Sequence, residues 1–183
     1  MKKYIIIYIL FTITLISRAQ EQQASLTEST MGLQIGTFGV WIYNEAKISN
    51  SLALRADLGI DGYLATVNSD IFKPYVIPSV SMEPRWYYNL KRRVRKGRRI
   101  DSNSGDFVSL IAKINPNVFV FPNNINSPHL FSIIPTWGLR RAIGRNFNLE
   151  TSMGAGYRVA FSPSTKTTKE LIYYINLRFG FVF

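Results

Sequence analysis

Cysteine is absent from the 183-residue chain, histidine occurs once, and 11 acidic residues face 22 lysines and arginines. Without a thiol there is no disulfide, thiolate metal ligand or cysteine nucleophile, a composition compatible with export. His129, the only histidine, rules out a multi-histidine metal cluster and would have to serve in any Ser–His dyad. Ser132 lies three positions further on, and residues three apart on a strand point to opposite faces. Glu83 and Glu150 suit paired acid–base work by type, but both alternate with arginines that favour ion pairing. No catalytic residue, cofactor ligand or metal ligand is expected.

Long apolar runs are scarce too. Beyond residue 16 every apolar run is broken within a few residues by Arg, Lys, Asp, Glu or Asn, short of the about 20 residues a membrane helix needs. The single long run, residues 4–16, follows Lys2 and Lys3 and precedes Ser17-Arg18-Ala19, with small residues at the −3 and −1 positions. That is the pattern of a secretory signal cleaved before Gln20. Residues 1–19 are expected to be the signal peptide and 20–183 the mature domain. The alternative, an N-terminal membrane anchor, has to make do with a run shorter than a bilayer helix.

What the chain has in abundance is alternation with period two, the signature of strands with unlike faces. In residues 52–60, Leu52, Leu54, Ala56, Leu58 and Ile60 form one face, with Arg55 and Asp57 between them. The pattern returns in 76–90 around Glu83 and Arg85, and in 108–120 around Lys113. It continues in 131–140 with Arg140, in 147–161 with Glu150 and Arg158, and in 171–183 with Arg178. These segments are longer than the about 5 to 6 residues of soluble strands and suffice for the about 9 to 11 of a tilted bilayer crossing. Their apolar faces end in Trp, Tyr and Phe, as expected of lipid-facing walls with aromatic girdles. An all-β, antiparallel, up-and-down transmembrane barrel of eight strands accommodates all of this.

The inward set is then Arg55, Asp57, Glu83, Arg85, Lys113, Arg140, Glu150, Arg158 and Arg178. An eight-stranded barrel is just wide enough for side chains to fill it, so these form either a network of ion pairs or a narrow path favouring anions. Seven strands are clear, the first at 33–43, and closure needs an eighth. A weak polar segment at 23–31 is the candidate, and the change of phase near Gly36 reads as a bulge. Gly36, Gly154, Gly156 and Gly180 suit bulges or close strand approach rather than a phosphate loop.

Links at 44–51 and 141–146 are short, whereas 64–74, 122–128 and 162–170 are longer and richer in Pro, Asn, Ser and Thr. Short turns face the periplasm in such barrels, which puts the 91–106 link on that side. It holds Lys91, Arg92, Arg93, Arg95, Lys96, Arg98 and Arg99. Having no interleaved aromatics and no recognition-helix pattern, this cluster is not expected to meet nucleic acid. It is either a solvated turn beside anionic lipid headgroups or a contact for an acidic periplasmic partner such as peptidoglycan.

The chain ends Tyr173-Tyr174-Ile175-Asn176-Leu177-Arg178-Phe179-Gly180-Phe181-Val182-Phe183. This resembles the terminal strand of outer-membrane barrels, and the resemblance implies that Phe179, Phe181 and Phe183 are a signal to the barrel-assembly machinery. The mature chain is similar to the small outer-membrane barrels of the X-type and A-type. The stretches 83–90 and 135–141 resemble barrel proteins of Bacteroidota, whose signals often end in Ala-Gln, as Ala19-Gln20 does. The resemblance implies residence in a Gram-negative outer membrane with membrane lipids as partners, no cofactor and no catalytic residues. The expected role is non-enzymatic, envelope-structural or surface-interacting. A narrow channel or ligand-carrying barrel is the alternative, and a soluble exported lipocalin-like barrel the next.

Overall fold

The computed structural model describes residues 24–67, 71–122, 128–162 and 165–183; the expected signal peptide lies outside them. The fold is all-β. Eight antiparallel strands run in chain order: β1 Ser29–Gly36, β2 Gly39–Lys47, β3 Leu52–Val67, β4 Ile71–Tyr87, β5 Gly105–Asn115, β6 His129–Ile143, β7 Phe147–Ser162 and β8 Thr165–Val182. Each pairs with the next, and β8 returns to β1 from Arg178 opposite Gly36 to Val182 opposite Gly32, which closes the sheet into a barrel. One short helix, α1 at Leu90–Arg95, and a single 3-10 turn at Asp101–Asn103 lie between β4 and β5. Among the described residues no helix is long and apolar enough to cross a membrane.

Alternation gives each strand two unlike faces, and closure decides which is enclosed. The barrel is inverted relative to a water-soluble core. Leu58, Met82 and Ile175 are 62%, 52% and 72% exposed, while Arg55, Arg140 and Glu150 are at most 1% exposed. Phe179, Phe181 and Phe183 face outward and pack on one another or on Phe147 of β7.

The eighth strand does not come from a separate segment before the first clear one. Residues 33–43 divide into β1 and β2, joined by Thr37 and Phe38, with Gly36 opposite Gly39. Residues paired across a hairpin share a face, so a two-residue turn shifts the inward phase from even to odd positions, as a bulge would. Gly39 lies at φ 156°, and a Cβ there would come within 2.1 Å of the Ile60 carbonyl oxygen. The upstream segment contributes only its last residues, from Ser29, to β1.

Two expected links, 64–74 and 162–170, are largely strand, and most of the expected 122–128 link lies outside the described residues. Leu64 pairs with Pro74 and Val67 with Ile71, so β3 and β4 run through most of the 64–74 link. Likewise Arg158 pairs with Glu170 and Ser162 with Thr165. At the opposite end, β2 runs on to Lys47 and β6 to Ile143, which shortens the 44–51 and 141–146 links. Antiparallel pairing continues past the apolar bands because backbone hydrogen bonds do not require an apolar face.

The end of the barrel that carries Ser29 and Phe183, here the terminal end, is covered. Leu26, Ala53, Tyr87, Leu90 and Phe107 form an apolar cluster there, with Ala24 and Ile100 packed against it. The 88–104 link is therefore not simply a solvated turn. Leu90, Arg93, Asn103 and Ser104 are buried, and the segment folds over the mouth of the barrel.

Candidate functional site

The enclosed face carries charges whose signs alternate from strand to strand. At one level Glu45 of β2 lies opposite Arg55 of β3, and Arg55 opposite Glu83 of β4. On the other side of the barrel Arg140 of β6 lies opposite Glu150 of β7, and Glu150 opposite Arg178 of β8. Opposite charges at facing positions attract, whereas like charges there would repel.

Glu150 is the hub of the network. It accepts hydrogen bonds from Arg85 Nη2 at 2.8 Å and Nη1 at 3.0 Å, and from Arg140 Nε at 2.8 Å. Arg55 reaches the same carboxylate at 3.4 Å. Arg55 also donates from Nε to Asp57 at 2.9 Å and from Nη2 to Gln34 Oε1 at 2.7 Å, with its guanidinium 4.0 Å above the Tyr43 ring. Arg85 holds Glu83 at 2.7 Å and lies 4.3 Å over Phe107. Arg178 donates to Asp57 at 3.1 Å and stacks 4.1 Å over Trp41. Burying an ion without partners costs several kcal/mol. Here each charge meets an opposite charge, and the arginines add aromatic faces.

A second cluster lies nearer the far end. Asp61 accepts from Trp41 Nε1 at 2.8 Å, Lys113 Nζ at 2.9 Å, Asn115 Nδ2 at 3.0 Å and the Ser79 hydroxyl at 3.1 Å. Arg158, expected in the lumen network, sits apart from it. It bonds Glu170 on β8 at 3.3 Å and covers the Tyr63 ring at 5.2 Å.

Glu45, Gln34, Asp61, Trp41, Tyr43 and Asn148 are also buried and hydrogen-bonded in this interior and were not among the expected residues. Asp61 continues the inward parity of Arg55 and Asp57, and Glu45 lies within a stretch that reads as a link. With both included, Arg55, Arg85, Lys113, Arg140 and Arg178 are matched one for one by Glu45, Asp57, Asp61, Glu83 and Glu150, all of them buried.

Asn103 closes the terminal end of this lumen. Its Nδ2 donates to Glu45 Oε1 at 2.7 Å, and its Oδ1 accepts from the Thr27 backbone at 2.9 Å. Tyr87 donates to the same Glu45 oxygen at 2.8 Å. Ser102 and Asn103 occupy left-handed backbone at φ 49° and 60°, a conformation that costs about 1–2 kcal/mol per residue and that Asn tolerates better than most. From Asn103 one side chain ties the lumen, the link and the segment before β1 together.

Of the basic link, Lys91, Arg92, Arg95, Lys96, Arg98 and Arg99 are exposed. Arg99 pairs with Asp101 at 2.7 Å. Arg93 instead turns inward and donates to the Arg99 carbonyl at 2.7 Å. His129 is exposed on β6, where its Nδ1 accepts from the Asn117 backbone at 3.1 Å, while Ser132 is buried inside the barrel. Among the described residues no group of His, Asp or Glu is arranged to hold a metal ion.

Comparison with protein-family models, curated proteins and solved structures gives no match.

Proposed function

We propose that this chain is a non-enzymatic integral outer-membrane barrel of a Gram-negative bacterium, exported by the general secretory route with residues 1–19 removed. In this reading it has an envelope-structural or surface-interaction role, and its lumen is a structural network. The observation that carries the reading is the inversion of the barrel: apolar side chains outward and a balanced set of buried charges inward. Water would penalise the first and lipid is the solvent that rewards it. On β8 the outward face from Leu171 to Phe183 covers about 30 Å of axis, at about 3.3 Å per residue and a tilt of about 40°, close to the about 25 Å apolar band of such barrels. The outward Phe179, Phe181 and Phe183 support recognition by the assembly machinery.

Membrane fractionation with heat-modifiable gel migration tests the assignment. The native protein is expected in the outer-membrane fraction, with faster migration before boiling; recovery in the soluble fraction would favour the lipocalin-like alternative. Against the anion-path alternative stand Glu45 and Asp61, which bring the buried carboxylates to the number of buried cations paired with them, and Asn103, bonded at one end of the lumen. Planar bilayers are expected to show no stepwise conductance, and a reproducible anion-selective step would restore that alternative. The His129–Ser132 arrangement offers no dyad, because the two side chains lie on opposite faces of β6.

A further inference from the structure

The basic link has a feature that folding does not require. Toward the terminal end the outward face carries Trp86, Tyr88 and Trp137, with the Trp86 and Tyr88 rings 6.2 Å apart and Trp137 Nε1 donating to the Tyr88 hydroxyl at 2.8 Å. Two positions after Tyr88 the chain enters α1. Leu90 anchors the helix to the terminal-end cluster, and the Asn89 side chain accepts from the Asp106 backbone at 2.9 Å. Leu90 and Arg93 face inward, leaving Lys91, Arg92 and Arg95 on the exposed side, followed by Lys96 and Arg98.

A helix dipole favours cations in the last turn, which accounts for Arg92 and Arg95, but it disfavours Lys91 in the first turn, where no acidic residue stands. Among the described residues none of Lys91, Arg92, Arg95, Lys96 and Arg98 has an ion-pair partner. The nearby carboxylates are already taken, Asp101 by Arg99 and Asp106 by Arg141. Burial first, and then repulsion from Arg141, lowers the affinity of Arg93 for its proton, while Asp106 raises it.

We infer that the exposed side of α1, with Lys96 and Arg98, binds the phosphate headgroups of anionic glycerophospholipids at the aromatic rim of the barrel. The inference rests on the membrane reading above. Tryptophan and tyrosine belts lie at headgroup depth, and basic residues just beyond them attract anionic lipid. Lys91 and Arg92 follow Tyr88 by only three and four residues.

The chain's three tryptophans supply the test: Trp41 is enclosed, while Trp86 and Trp137 face outward and flank Tyr88, two residues before α1. The protein is folded into phosphatidylcholine vesicles containing a minority of phosphatidylglycerol, with bromine on the acyl chains of one lipid or the other. Quenching of the outward tryptophans should report phosphatidylglycerol at about threefold its bulk fraction. The excess should vanish in 1 M salt, where charges are screened within about 3 Å, and in the combined variant K91Q/R92Q/R95Q/K96Q/R98Q. The salt series needs only the wild-type chain and therefore stands even if the variant fails to fold.

Wild-type quenching in proportion to bulk composition, or an excess that survives both salt and substitution, would overturn the inference. Proportional quenching together with salt-sensitive sedimentation on peptidoglycan would overturn it in favour of an acidic periplasmic partner. Absence of quenching by either brominated lipid would instead remove the membrane reading itself.

Discussion

Arg85 and Glu150, on the non-adjacent strands β4 and β7, meet across the lumen through two parallel hydrogen bonds of 2.8 and 3.0 Å. Contacts of this kind tie opposite walls together, a task that apolar packing performs in soluble barrels. Glu150→Ala would leave Arg85, Arg140 and Arg55 around an empty position. Breaking a buried pair by removing one partner costs about 3–5 kcal/mol, and that loss is expected in urea unfolding of the refolded protein. The double variant E150M/R85M should lose less than the sum of its single changes, since neither charge is left without the other. Additive losses would show that the pair is uncoupled.

The outward face makes a different demand. Leu58 of β3 lies opposite Val80 of β4, and both are exposed. Leu58→Arg is expected to cost about 2–4 kcal/mol in lipid if this level is the bilayer midplane, and an arginine at Trp86 about 0–1 kcal/mol. Equal costs at the two positions, measured by equilibrium unfolding in vesicles, would contradict the depth assigned to them.

These charges and faces were legible in the sequence to different degrees. Residues 52–60 and 171–183 announce their faces because a period of two survives across the whole segment. The β1–β2 hairpin was hidden because Gly36-Thr37-Phe38-Gly39 has neither Asn-Gly nor Asp-Gly at its turn, and its phase shift matches that of a bulge. Glu45 and Asp61 went unrecognised because both lie where apolar alternation fades while pairing continues. Register is the larger gap. Alternation tells which face a residue occupies, but not that Arg55 stands between Glu45 and Glu83, and it is this placement that turns a set of charges into a network.

The cover at the terminal end depends on one side chain. Asn103 both donates to Glu45 and accepts from Thr27, so Asn103→Ala should cost about 1–3 kcal/mol by leaving buried groups unpaired. Asn103→Asp should be worse, because it sets a second carboxylate beside Glu45. Urea midpoints are expected to fall in the order wild type, alanine, aspartate, and limited proteolysis should cut the 88–104 link fastest in the aspartate variant. An aspartate variant as stable as wild type would mean that this contact does not hold the cover.

Because the chain has no cysteine, each introduced cysteine is a single attachment point for a spin label. Leu58, Val80 and Leu177 lie on the exposed side of the wall, and Ser81 and Ser152 on the enclosed side. In vesicles, labels at the first three are predicted to be accessible to lipid-soluble oxygen and shielded from a water-soluble nickel relaxant, with both accessibilities low at Ser81 and Ser152. High nickel accessibility at Leu58, Val80 and Leu177 would contradict the orientation on which the account rests.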